Sequence, residues 1–166
     1  LMTQVGWRMG RINAMFDPWA YRLEEGWQII QSLMALGSGG VFGQGLGNGK
    51  QKLLFMPEAE NDYIFAHIGE ELGLIGTLLV LFAFLYLLLR GTRVAINTKD
   101  RFASLMASGF MVMIGMQVMI NIAVVTNSIP STGMPLPFLS YGGTSLLANL
   151  IAMGVLLNIS KYTDTT

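Results

Sequence analysis

The sequence contains no cysteine, a single histidine and few charges. Without cysteine there is no disulfide framework, no thiolate metal site and no cysteine nucleophile. Charged residues make up only 12% of the 166, against roughly a quarter in soluble chains. Ten basic and ten acidic side chains cancel, so nothing attracts a polyanion and no nucleic-acid partner is expected. A secretory leader pattern (basic start, apolar run, small-residue cleavage site) is also missing ahead of the polar stretch that follows Leu1. A membrane-committed chain should have inserted earlier, so we expect the C-terminal part of a longer protein. What the sequence does have is apolar bulk. It is 52% hydrophobic, with 20 glycines and 12 methionines, and its mean hydropathy is +0.53.

That bulk falls in three runs. Leu72 to Leu89 is 18 residues without a charge, Ala103 to Thr126 is 24, and Ser145 to Ser160 is 16 and can recruit residues from 138 to 144. About 18 to 20 apolar residues suffice to cross a bilayer as a helix. The third run alone would also suit a buried soluble helix, but beside two clear spans it reads as a third. Between the first two runs lie Arg90, Arg93, Lys99 and Arg101, whereas Asn127 to Gly143 holds no Lys or Arg. The excess of basic residues on cytoplasmic loops then orients the chain. The expected organisation is an extracellular loop region over 1–62, with the end of a preceding span at its start, and transmembrane helices at 63–90, 103–127 and 144–160. A cytoplasmic loop at 91–102, an extracellular Pro/Gly loop at 128–143 and a cytoplasmic tail at 161–166 complete it. The fold class is all-α, a polytopic helical membrane protein with short helices in its large outer loop. Arg8, Arg11, Arg22, Lys50 and Lys52 then stand on the side the rule disfavours. Long loops translocate regardless of charge, yet cations kept there invite a functional explanation.

The outer segment has its own organisation. Asp17-Pro18-Trp19 reads as a turn. Leu23, Trp27, Ile30 and Met34 recur at spacings of 4, 3 and 4, one face of a short helix. With Trp19, Tyr21 and Trp27 nearby, that helix either lies in the headgroup layer or packs on other spans. From Gly37 to Gly49 seven glycines demand unusual backbone angles. The stretch is not a nucleotide loop: Gln51 follows Gly49-Lys50 where a phosphate loop needs Ser or Thr, and Gly43-Gln-Gly45 lacks the third glycine of a dinucleotide fingerprint.

Chemistry concentrates immediately afterwards. Lys50, Lys52, Glu58, Glu60, Asp62, His67, Glu70 and Glu71 all fall within 22 residues ahead of the first span. Glu58 with Asp62, and His67 with Glu71, would share a face of a helix. Ionisable groups so close to lipid either face a cavity or a partner, or form a solvated collar. His67 is either a hydrogen-bonded structural residue or a base. Before the last span, Pro130, Pro135 and Pro137 forbid a regular helix, and Gly142-Gly143-Thr144-Ser145 opens the next one. Its free N–H groups offer an anion site, or the segment is an ordinary turn with a cap. Gln117, Asn121 and Asn149 within the spans read as interhelical hydrogen bonders.

Taken in order, Gly43-Gln-Gly-Leu-Gly47, Gln51-Lys52, Pro57-Glu58-Ala59, Asp62-Tyr-Ile-Phe-Ala66, Gly69-Glu-Glu-Leu-Gly73 and Pro135-Leu-Pro-Phe-Leu-Ser-Tyr-Gly-Gly143 resemble the SEDS family (FtsW, RodA, SpoVE). The likeness runs from about Arg11 to Ser160. Asp17-Pro18-Trp19, Gly26-Trp-Gln-Ile-Ile-Gln-Ser32 and Val118-Met-Ile-Asn-Ile122 look closer to the division and sporulation branch than to RodA. Family members have ten spans, so the chain resembles their large extracellular loop and last three. The resemblance implies a peptidoglycan glycosyltransferase in the bacterial cytoplasmic membrane, with its site on the outer face. It would polymerise lipid II, release undecaprenyl pyrophosphate, and work beside a class B penicillin-binding protein and other divisome proteins. Asp62 matches the family's essential aspartate and is the expected general base. Lys50 and Lys52, with Ser140, Tyr141, Gly142 and Gly143, are the expected substrate-binding residues. Glu58, Glu70 and Glu71 would tune Asp62 or hold a divalent cation (Mg or Mn) with it, Glu58 being the metal candidate beside Asp62. Glu60-Asn61 before Asp62 departs from the family's commoner His/Gln-Thr. The isolated 166 residues are expected to be inactive. Two other classes fit parts of the pattern: a lipid-linked precursor transporter, suited by polar groups in the spans, and a scaffolding membrane partner.

Overall fold

Each long apolar run becomes a helix, because a backbone without water must satisfy its own hydrogen bonds. The computed structural model describes residues 2–23, 26–49 and 62–163. Five helices follow in order: α1 (Met2–Phe16), α2 (Gly26–Gly39), α3 (Ile64–Asn97), α4 (Arg101–Val125) and α5 (Gly143–Ser160). Among the described residues there is no strand. α3, α4 and α5 are long and apolar enough to cross a membrane. Only 17% to 33% of their most apolar windows is buried within the chain, so most of that apolar surface faces outward, as lipid or neighbouring helices require.

α3 and α4 form the central antiparallel pair. Asp100 caps α4 by accepting from the Ala103 N–H at 3.0 Å. The Ser104 hydroxyl donates back to the Ala95 carbonyl at 2.6 Å. Gly91 lies so close against the Met111 side chain that a Cβ there would collide with it. Ile114, Ala107 and Val125 are fully buried along the seam. α5 leans on the outer side of α4, and at its end the Thr98 and Thr163 hydroxyls meet at 3.0 Å.

The Asp17-Pro18-Trp19 turn is present, the Ala20 N–H donating to Asp17 Oδ1 at 3.1 Å. The expected face of the next helix is not the buried one. Leu23 precedes α2 and is 87% exposed, while Trp27 and Met34 also lie on the outer side. Of the four expected residues only Ile30 is buried, and it is joined by Gly26, Ile29, Gln31, Ser32, Ala35 and Gly39. Small residues win here because they let helix backbones approach closely. Gly39 touches the Gly69 carbonyl of α3, and the buried Ser32 hydroxyl donates to the Val125 carbonyl at 3.2 Å. α2 therefore packs on other helices and keeps Trp27 and Met34 as an outer apolar stripe.

α3 is not one continuous helix. Gly73 adopts φ 66°, ψ −161°, a conformation almost restricted to glycine. An unbroken helix would pair the Leu74 N–H with the Glu70 carbonyl and the Ile75 N–H with that of Glu71. Here the glycine loop takes all four groups. Leu74 donates to Gly40 at 2.9 Å and Ile75 to Val41 at 3.3 Å, while Gln44 donates to Glu70 at 2.9 Å and Gly45 to Glu71 at 3.0 Å. The loop must touch α3 backbone to backbone, and Gly43, at φ 76°, sits against the Glu71 carbonyl where any Cβ would clash. The glycines thus splice a loop into a broken helix without leaving those groups unsatisfied.

Candidate functional site

Asp62 stands two residues ahead of α3, at the end of the bundle where α1, the start of α3, the end of α4 and the loop before α5 converge. Its main chain is fixed from α4. The completely buried Asn121 donates both hydrogens of its amide nitrogen, one to the Asp62 carbonyl at 2.8 Å and one to the Met134 carbonyl at 2.9 Å. One side chain thereby locks Asp62 to the Pro-rich loop. Within that loop Gly133 adopts φ 71°, and a Cβ there would lie 3.5 Å from Asp62 Oδ2. The loop thus passes the carboxylate with room for about one methyl group between them.

Tyr63 is buried beside it. Burial pushes its hydroxyl up to about 12, with the Asp62 carboxylate adding to the rise and Arg11 and Ser131 opposing it. Arg11 reaches this place from α1, donating Nη1 to the Ser131 carbonyl at 2.9 Å. Asn127, at φ 55°, donates to the Met15 carbonyl at 3.0 Å and ties α1 to the same loop. A partly buried carboxylate and a buried phenol from one stretch of sequence and a guanidinium from another are therefore assembled against a third, the Pro-rich loop. Such an arrangement can accept a proton at Asp62 and hold an anionic group at Arg11.

The other expected site residues divide. Lys50, Lys52 and Glu58 lie outside the described residues, as do Glu60 and Asn61. Glu70 and Glu71 lie about two turns along α3 from Asp62 and border the glycine loop, with Gly49 against both side chains. Glu70 is fully buried, and its Oε2 is 3.9 Å from His67 Nδ1. The close pair is thus His67 with Glu70, three residues apart on the same helical face. Ser140 is buried and closes its own loop, its hydroxyl accepting from the Leu136 N–H at 2.7 Å, with Phe138 between them at φ 64°. Tyr141 is 79% exposed. Gly142 caps α5 with no side-chain hydrogen bond to its first turn. Among the described residues no three His, Asp or Glu side chains come together as a metal site.

The interhelical reading is corrected for Asn121 and Asn149. Asn121 bonds loop carbonyls, and Asn149 donates within its own helix to Ser145 Oγ at 3.4 Å. Sequence reasoning missed Asn121, Tyr63 and Gly133 as parts of this site. For Arg11 a signal existed, since it was one of the cations on the disfavoured side.

A family model described as cell cycle protein, covering FtsW, RodA and SpoVE, matches residues 1–165. The chain belongs to the FtsW/RodA/SpoVE family. It is 52% identical to stage V sporulation protein E of Bacillus subtilis over 98% of its own length and 44% of that protein's. It is 49% identical to a probable peptidoglycan glycosyltransferase FtsW of Geobacter metallireducens over 96% of its length and 43% of that protein's. The chain therefore spans less than half of these relatives. Among solved structures it resembles a chain from a study of how a peptidoglycan synthase complex coordinates polymerisation and crosslinking, with TM-score 0.70 and 27% identity over 94% of this chain and 42% of that one. It also resembles an aspartate-to-alanine form of the rod shape determining protein RodA of Thermus thermophilus, with TM-score 0.62 and 32% identity over 81% of this chain and 41% of that one. Near 50% identity to SpoVE and FtsW, the chain falls on the division and sporulation side of its family.

Proposed function

We propose that the intact protein is a peptidoglycan glycosyltransferase that polymerises lipid II, with Asp62 as its general base. The observation that carries the reading is the Asn121 clamp, which fixes the Asp62 main chain to the loop that approaches its carboxylate. In the step proposed, the C4 hydroxyl oxygen of one sugar attacks the anomeric carbon of another. A new C–O bond forms, the bond to pyrophosphate breaks, the hydroxyl proton passes to Asp62, and undecaprenyl pyrophosphate leaves. A carboxylate held beside the attacking hydroxyl can take up its proton as the new bond forms. The leaving group's charge would be met by Arg11, joined by Lys50 and Lys52 and by the uncapped first turn of α5 at Gly142 and Gly143. Ser140 would hold that turn's approach, and Tyr141 would face the substrate from its exposed position. Glu70 and Glu71 would act through the glycine loop they border. A divalent cation on Asp62 and Glu58 belongs to the same proposal, but its further ligands would have to come from outside the described residues.

The positive-inside pattern supports a bacterial cytoplasmic membrane location with Asp62 on the outer face. The similarity to a synthase complex that couples polymerisation to crosslinking supports a class B penicillin-binding protein as partner, within the divisome. A second reading, a transporter of the lipid-linked precursor, draws on the break at Gly73, because transporters bind substrate at discontinuous helices. Against it, the two N–H groups and two carbonyls opened at that break are taken by the glycine loop.

The test is polymerisation of fluorescent lipid II by the intact protein and its Asp62→Asn variant. Each would be purified with a penicillin-binding partner that has no polymerase activity of its own. Loss of polymer with the complex intact is expected. Undiminished polymer would remove Asp62 from the mechanism, and no polymer from either protein would favour the transporter.

A further inference from the structure

At the end of α3 remote from Asp62, a groove of about 460 Å³ runs between the last turns of α3 and α5. Arg90, Arg93 and Asn97 line it from α3, at spacings of 3 and 4 that place them on one helical face. From α5, Met153, Leu156 and Leu157 give way to Ser160 and then Thr163. The groove is therefore graded along its length. One end is walled by Leu87 and Met153, and the other, about 15 Å further along the helix, carries Asn97, Ser160 and Thr163.

Among the described residues its charge has no acidic partner, neither arginine forming an ion pair. The only acidic residue between positions 87 and 163 is Asp100, and its carboxylate is engaged in capping α4. Asp164 follows outside the described residues. An apolar end that leads within one helical turn to two arginines matches an amphiphile with a negative head, acyl chain against Leu87 and Met153 and phosphate against the guanidiniums, while the Ser160 and Thr163 hydroxyls beyond them are held by the Leu157 and Ile159 carbonyls. Arginine binds phosphate through a planar fork of donors, and basic pockets between membrane helices hold anionic headgroups in this way.

We propose that this groove is a binding site for an anionic phospholipid of the surrounding membrane, distinct from the Asp62 site. The competing explanation is a general basic collar, in which any cation near the membrane surface contributes equally. The groove's geometry separates the two, because Arg101 belongs to the same basic loop but does not line the groove.

Native mass spectrometry of the intact protein, titrated with phosphatidylglycerol, cardiolipin or phosphatidylcholine, tests the proposal. Wild type should retain the two anionic lipids in preference to phosphatidylcholine. Arg90→Gln with Arg93→Gln should weaken that binding by at least about tenfold, since each surface cation contributes roughly a factor of five or more. Arg101→Gln should stay within about twofold of wild type. Met153→Trp, which fills the trough without changing charge, should also lose lipid, and this second variant keeps the test valid if the double arginine variant misfolds. Equal loss in the Arg101 and Arg90/Arg93 variants would overturn the proposal in favour of a collar. Displacement of lipid by equimolar glycerol phosphate would overturn it in favour of a headgroup-only anion site. Absence of any preference for anionic lipid in wild type would end it.

Discussion

Replacing Asn121 with alanine tests whether Asp62 is held from α4. The side chain is completely buried and makes two short hydrogen bonds, to the carbonyls of Asp62 and Met134. Each bond contributes about 0.5–1.5 kcal/mol net, and each buried carbonyl left without a donor costs about 1–3 kcal/mol. Some relaxation toward water is open at this end of the bundle, so the total loss should be about 2–5 kcal/mol. Only part of it will appear as global instability, because the broken contacts join loop and helix start rather than the α3–α4 seam. The remainder appears as misplacement of Asp62, and a shift of about 1 Å at a reacting group can cost about a hundredfold in rate. Polymerisation of lipid II should therefore fall at least about tenfold while the protein still assembles with its partner. Asn121→Asp is the sharper control: it preserves volume but replaces the donating nitrogen with an oxygen that faces both carbonyls, and should be at least as impaired. Both variants are assayed for glycan polymer and for thermal unfolding in detergent. If Asn121→Ala polymerises within about twofold of wild type, the clamp does not position Asp62 and the reasoning fails.

Gly73→Ala should lose at least about 2 kcal/mol of stability and most activity, since its φ of 66° is strained for alanine and the new Cβ would lie 2.6 Å from the Val41 carbonyl oxygen; amide hydrogen exchange at residues 40–45 should rise. Gly43→Ala should reproduce that phenotype through the same contact from the loop side. Tyr63 should stay neutral until about pH 12, so the wild-type minus Tyr63→Phe difference spectrum should show one tyrosine ionising late. Because its folded pKa is raised, the stability it contributes is complete below pH 10 and is lost as pH rises from about 10 to about 12, and Tyr63→Phe should remove that part of the alkaline sensitivity. The 166 residues expressed alone should yield no glycan polymer, and polymer made by them in the absence of other polymerases would contradict this.

What the sequence made legible was whatever depends on composition along one stretch. Three charge-free runs gave three helices, and the glycine density between 37 and 49 gave a loop of abnormal backbone. What it left hidden depends on contacts between stretches. No spacing rule says that Gly40 to Gly45 will supply hydrogen bonds to α3, yet that exchange lets the chain stop and restart a helix at Gly73. The α2 face was misread for a related reason. Periodicity ranks residues by hydrophobicity, but among membrane helices both sides of a helix are apolar, and closeness of approach selects Gly39 and Ala35 over Trp27 and Met34 for the interior. Asn121 illustrates the same limit from the polar side. An amide in an apolar run signals a partner, but only the fold shows that the partners are main-chain carbonyls on either side of the candidate site. Arg11 was conspicuous in sequence as a cation on the disfavoured side, and the fold then put it beside Tyr63 and Ser131. Anomalies of charge thus pointed toward the site more reliably than hydrophobic periodicity did, because in a membrane chain the apolar pattern reports on lipid while a retained charge needs a partner.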